Sequence, residues 1–158
     1  MIDKALAELA AATAIAKKKI TNAQVLNEAY HYATPSSFSR GLRLDIGNVA
    51  VLLISGTASI DEHGHSVHIG DFRGQMRRTC HNITGLLEAE GATWKDVVRT
   101  TCYLRDIERD YEAFNEERTR FFAGQGLDPL PASTGIQAIL CRPELLVEIE
   151  AIAMFLKR

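Results

Sequence analysis

Two carboxylates in the stretch Leu145-Leu146-Val147-Glu148-Ile149-Glu150-Ala151-Ile152-Ala153 sit in a setting that needs a chemical explanation. Strict alternation has a period of two, which predicts a strand with Val147, Ile149, Ala151 and Ala153 on one face. Leu146, Glu148, Glu150 and Ile152 then share the other face. A carboxylate among apolar neighbours is costly unless it is paired or hydrogen-bonded, and active sites are where such costs are accepted. An edge strand with both glutamates in water satisfies the same pattern. A second candidate is the run Gly56 to Gly70, which holds His63, His65 and His68. No adjacent ligand set completes a metal site there, so that run is read as a solvated loop. Cys80, Cys102 and Cys141 are widely spaced and odd in number, without a CxxC pair. They read as reduced thiols, mostly buried, in a cytoplasmic protein, with neither a disulfide framework nor a zinc site.

Composition bounds the partners. A chain of 158 residues with 46% hydrophobic and 24% charged residues suits one globular domain with a single core. A net charge of −2 gives no electrostatic footprint for nucleic acid or an anionic membrane. The N-terminal alanine-rich run has Asp3 before it and Lys17, Lys18 and Lys19 after it, the reverse of a secretory signal. No run has the length of a membrane span.

The elements that must position the glutamates follow from periodicity and caps. Ile2, Leu6, Leu9 and Ala16 fall at helical spacing, which predicts an appended helix over residues 3–18, so that 1–20 is an appendage and 21–158 the domain. Residues 22–33 form a connection with a short strand over 25–32, and Ala33-Thr34-Pro35-Ser36-Ser37 is a turn. Strands over 38–45 and 49–55 make an antiparallel hairpin through Gly47-Asn48. Asp71 caps a helix whose buried stripe is Phe72, Met76, Cys80, Ile83, Leu87 and Ala89, with Arg77, Arg78 and Glu88 on its wet side and Gly91 ending it. A single turn over 94–97 precedes a strand over 98–104, a second helix over 110–123, and strands over 132–140 and 145–153. This order predicts an α+β domain, with two helices packed on one face of the sheet. The other face, carrying Glu148 and Glu150, then needs a partner surface, and self-association supplies one.

Several motifs in one order resemble the Rid (YjgF-type, endoribonuclease L-PSP) family over roughly residues 37–158. They are Ile54-Ser55-Gly56, Asp71 with Gln75 and Asn82, Gly91-Ala92-Thr93-Trp94-Lys95-Asp96-Val97-Val98, Tyr103-Leu104-Arg105-Asp106, Asn115, Pro131-Ala132 and Val147 to Ala153. The resemblance implies a chorismate-mutase-like homotrimer with ligand clefts between subunits. It also implies hydrolysis of a reactive enamine or imine, such as 2-aminoacrylate, to a keto acid and ammonia without metal or organic cofactor. Glu148 stands where the family's catalytic glutamate stands, and Phe38 and Ser39 where its Tyr-Ser pair stands. Gly56 and Thr57, Asn115, and Ser133, Thr134 and Gly135 fall at substrate-binding positions. The family's carboxylate-binding arginine is Ser133 here, which implies a non-standard small-molecule carboxylate; Arg142, Arg118 and Arg40 are candidates to reach the cleft from another direction, each otherwise read as a solvated surface arginine. Ser55-Gly56-Thr57-Ala58-Ser59-Ile60 and Cys141-Arg142 also resemble the longer chorismatase relatives of this fold. Two alternatives stand beside the deaminase: a ligand-binding or regulatory trimer without catalysis, and a chorismatase-like activity on another carboxylate. The family's ribonuclease label fits poorly with a near-neutral chain lacking a basic stripe.

Overall fold

The structure, a computed structural model, describes residues 3–4 and 15–157. Eight elements carry the fold: β1 (Ile15–Ile20), β2 (Gly41–Ile46), β3 (Val49–Ala58), α1 (Phe72–Glu88), β4 (Val97–Leu104), α2 (Ile107–Gly124), β5 (Ala132–Gln137) and β6 (Val147–Leu156). The strands form one mixed sheet in the order β1-β2-β3-β6-β4-β5, antiparallel throughout except where β5 lies parallel to β4. The last strand in sequence is therefore central, flanked by β3 and β4. The α+β reading holds: α1 and α2 pack on the sheet, and the core of Leu52, Ile54, Met76, Ile83, Leu86, Leu87, Phe114, Val147 and Ile149 lies beneath them.

Alternation in β6 resolves as expected. Val147, Ile149, Ala151, Ala153 and Phe155 are buried toward the helices. Glu148, Glu150 and Ile152 are half-buried on the opposite face, where Met154 is 49% and Leu156 63% exposed. The β2–β3 hairpin turns on Gly47-Asn48, and Gly47 adopts φ 58°, which glycine reaches without the Cβ penalty.

Five local expectations are corrected. Residues 15–18, read as the end of a helix, belong to β1, which pairs with β2 from Ile15↔Ile46 to Ile20↔Gly41. The rest of that expected helix, 5–14, lies outside the described residues. Pairing outweighs a weak helical stripe here, and Lys18 is tied down by Glu90 at 2.8 Å. The strand expected over 25–32 is instead a 3₁₀ turn at Ala29–His31. Arg78, assigned to the wet side of α1, donates to the Ile60 and Val25 carbonyls and to Asn82 Oδ1. Ala89 is exposed at the end of α1, so it drops out of the buried stripe. Asp106 starts α2 earlier than expected, its carboxylate accepting from the Arg109 amide at 3.0 Å.

Candidate functional site

Buried Gln75 and Asn82 and half-buried Arg105 fix the backbone around Glu148. Gln75, fully buried on α1, donates to the Glu144 carbonyl at 2.9 Å and accepts from the Leu146 amide at 2.8 Å, which sets the entry to β6. Asn82, also fully buried on α1, donates to the Ala58 and Ile60 carbonyls at 3.0 and 2.8 Å and holds the end of β3. Arg105 donates to the Leu145 and Arg142 carbonyls, each at 2.6 Å, and so shapes the connection that carries Arg142. Each bond anchors a main-chain group at the entry to β6 or the end of β3.

Between β3 and β6 the register slips: Ile54 faces Ala151, whereas Thr57 faces Ile149. The extra residue makes a β-bulge at Ser55-Gly56 and turns Gly56 against Glu148. A Cβ at Gly56 would overlap the Glu148 carboxylate oxygen, so no larger residue fits while Glu148 keeps its place.

Glu148 opens into a cleft of about 520 Å³ lined by, among others, Tyr32, Phe38, Arg40, Gly56, Arg142 and Glu148. Arg40 is only 4% exposed. Its Nε donates to the Asn27 carbonyl at 2.9 Å, and its guanidinium lies 5.1 Å from the Tyr32 ring centroid and 5.3 Å from that of Phe38. The Arg142 guanidinium also lies 5.1 Å from the Tyr32 centroid, and its Nη1 donates to the Gly64 carbonyl at 2.9 Å and to Ser66 Oγ at 3.2 Å. Aromatic rings and carbonyls hold both cations without neutralising them. Burial pushes the Glu148 carboxyl above the usual carboxylate range; Arg40 opposes that rise and Glu150 adds to it. Burial likewise lowers Arg40 from the ordinary guanidinium range, with Glu28 pulling the other way.

Of the residues singled out from the sequence, Phe38, Arg40, Gly56, Arg142 and Glu148 are among those that meet in this cleft. Ser39 and Thr57 stand behind its wall: the Ser39 carbonyl accepts from Ser55 Oγ at 2.7 Å, and buried Thr57 donates to the Ser55 carbonyl at 2.8 Å. Asn115, Ser133, Thr134 and Gly135 lie elsewhere in the same chain, on α2 and on the exposed edge strand β5. Ser133 Oγ accepts from Thr100 Oγ1 at 3.1 Å and from Arg118 Nη1 at 3.2 Å, and Thr134 Oγ1 accepts from Arg99 at 3.0 Å. Arg118 also donates to Asn115 Oδ1 at 2.7 Å and is absent from the cleft, unlike Arg40 and Arg142. Sequence reasoning missed Tyr32, whereas Cys141 and the rim histidines His63 and His65, read there as a reduced thiol and a solvated loop, also line the cleft. Tyr32 fell in an ambiguous connection, where no periodicity marks it.

A smaller groove of 310 Å³ between α1 and α2 has different chemistry. Its Glu117 is bound by Arg73, Arg77 and Arg120 at 3.1, 3.3 and 2.9 Å, and burial pushes its Cys80 thiol up to about 12. Among the described residues no group of three or more His, Cys, Asp or Glu is placed to hold a metal ion, and no helix is long and apolar enough to cross a membrane.

Fold and cleft together define a small α+β domain with a carboxylate and two guanidinium groups around one ligand-sized space. The family model described as Endoribonuclease L-PSP matches residues 31–155, most of the chain, so the chain belongs to that family, also known as Rid or YjgF. A RutC family protein of Pyrococcus abyssi is 31% identical over 110 residues, covering 70% of this chain and 81% of that one. The solved YjgF gene product of Escherichia coli is 25% identical with a TM-score of 0.68, covering 89% of this chain and 99% of that one. Escherichia coli TdcF, solved with bound serine, shares the fold at a TM-score of 0.70 and 22% identity, covering 87% of this chain and 98% of its own.

Proposed function

We propose that this cleft hydrolyses a reactive enamine or imine of a 2-oxo acid to the carbonyl compound and ammonia. The observation that carries the reading is one half-buried carboxyl, Glu148, sharing a cleft with Arg40 and Arg142 while hydrogen-bonded to neither. A guanidinium holds the substrate carboxylate, which suits its planar donors. Glu148, in its ionised form, accepts a proton from water as the water oxygen bonds to the imine carbon. That proton passes to nitrogen to give a carbinolamine, and the hydroxyl proton then follows to nitrogen as the carbon–nitrogen bond breaks, so ammonia leaves as the carbonyl forms. A base with a raised pKa suits this transfer near neutral pH. The serine bound by TdcF supports a small amino-acid-like ligand for the fold.

A homotrimer with clefts between subunits belongs to the same proposal. The open sheet face, with Leu53, Met154 and Leu156 exposed, and the exposed strand β5 support it. Ammonia release from freshly generated imino acids tests the reaction. Turnover abolished in Glu148→Gln is expected, and no release above background would defeat the reading. Ser133 at the family's arginine position favours a second reading, a ligand-binding trimer without catalysis. Thermal stabilisation by carboxylates without turnover would select it.

A further inference from the structure

Five of the buried side-chain polar atoms without a hydrogen-bond partner among the described residues fall between positions 27 and 40: Asn27 Oδ1, both Glu28 carboxylate oxygens, Tyr32 Oη and Arg40 Nη2. Unpaired groups of this kind are rare, and each asks for an explanation. Glu28 is 8% exposed, and its charge interacts with that of Arg40, yet no hydrogen bond joins them. Arg40 also lines the cleft with Glu148, and its charge opposes the rise that burial gives the Glu148 carboxyl. One buried cation, tied to the Asn27 carbonyl beside Glu28, therefore neighbours two carboxyl groups, of which only Glu148 lines the cleft.

From this arrangement we infer that Glu28 is a positioning residue, which acts on Glu148 through Arg40. Glu28 supplies the counter-charge that keeps a desolvated guanidinium in place, and it draws part of that cation's field away from Glu148. Without Glu28, Glu148 is the carboxylate left to balance Arg40, and it becomes a weaker base. Without Arg40, Glu148 loses its attractive neighbour and becomes harder to ionise. The two substitutions thus move Glu148 in opposite directions, which simple loss of packing cannot do. The other groups facing Glu148 are Glu150 beside it on β6, Tyr103 on β4, Arg142 before β6, and His63 and His65 at the rim. They are common to all variants and so leave the sign of each difference intact.

The consequence for turnover rests on the proposed hydrolysis, but the test does not. Carboxyl carbons of ¹³C-labelled glutamate are titrated by NMR in the full chain, with Glu148→Gln assigning the Glu148 signal. Glu28→Gln is expected to lower the Glu148 midpoint by roughly half a pH unit or more, and Arg40→Met to raise it by a similar amount. Glu28→Asp, which restores the charge, returns the midpoint toward wild type. An unmoved midpoint in Glu28→Gln, accompanied only by a lower Tm, overturns the inference. Should Glu28→Gln not fold, Arg40→Met decides alone, and an unmoved or lowered midpoint is the contrary result. Imino-acid hydrolysis assayed in parallel keeps the two claims apart. Opposite shifts without turnover uphold the link and defeat the enzyme, whereas turnover without shifts does the reverse.

Discussion

The β5 edge and the cleft between β3 and β6 both carry arginine and small polar groups, yet they arrange them differently. At the β5 edge, Arg118 spends its donors on Asn115 and Ser133 and stacks 4.5 Å from the Phe114 centroid. Nearby Cys102 is buried, and burial pushes its thiol up. At the cleft, Arg40 and Arg142 are held by rings and carbonyls, while Glu148 faces them without a hydrogen bond to either. A closed polar network stabilises; a cation and a base that face the same space without satisfying each other can bind and react. In the cleft the positive charge comes from the entry of β2 and from the connection before β6.

Glu148→Gln breaks the comparison hardest. It is expected to reduce kcat about 100-fold or more, read by ammonia release. The same variant should melt at or above the wild-type temperature at pH 7–8. The folded-state pKa of Glu148 is raised, so ionisation opposes folding as pH rises from the unfolded value through the folded one. For the same reason wild-type activity should rise with pH on its acid limb through a midpoint above the ordinary glutamate value. Gly56→Ala comes next, since its Cβ claims the space of the Glu148 carboxylate; falls in both kcat and Tm are expected.

Arg40→Met or Arg142→Met should raise KM for a carboxylate substrate roughly 10- to 100-fold, the value of a charged hydrogen bond, while Arg118→Met changes it less than about 2-fold. Equal effects at all three arginines would dissolve the distinction drawn between the two regions. Glu117→Gln marks the purely structural end. Three arginines hold Glu117 below the usual carboxylate range, so its stabilisation is present above the unfolded pKa and lost as pH falls through the folded one. Activity should be unchanged, with stability at pH 7 lower by on the order of 1–3 kcal/mol in urea denaturation.

Much of the fold was legible because its signals are local. The alternation of β6, the Asp71 cap and the Gly47-Asn48 turn each state their geometry within a few residues. β1 was misread because three consecutive lysines suit a helix end as well as an edge strand, and only pairing with β2 decides between them. Glu148 was found because a carboxylate inside an apolar alternation is conspicuous. Tyr32 was not, and Arg40 was named only as one of three candidate arginines, since both reach the cleft from a turn and a strand entry that carry no period. The Gly56 bulge against Glu148 depends on a register slip between strands far apart in sequence, which no local pattern reports.

The most direct test is a crystal structure of the chain with a stable 2-oxo acid, 2-oxobutanoate, at saturating concentration. The account predicts its carboxylate within hydrogen-bond distance of Arg40 or Arg142, with the keto carbon facing Glu148. A carboxylate seated against Ser133 and Arg118, with Arg40 and Arg142 untouched, would contradict it.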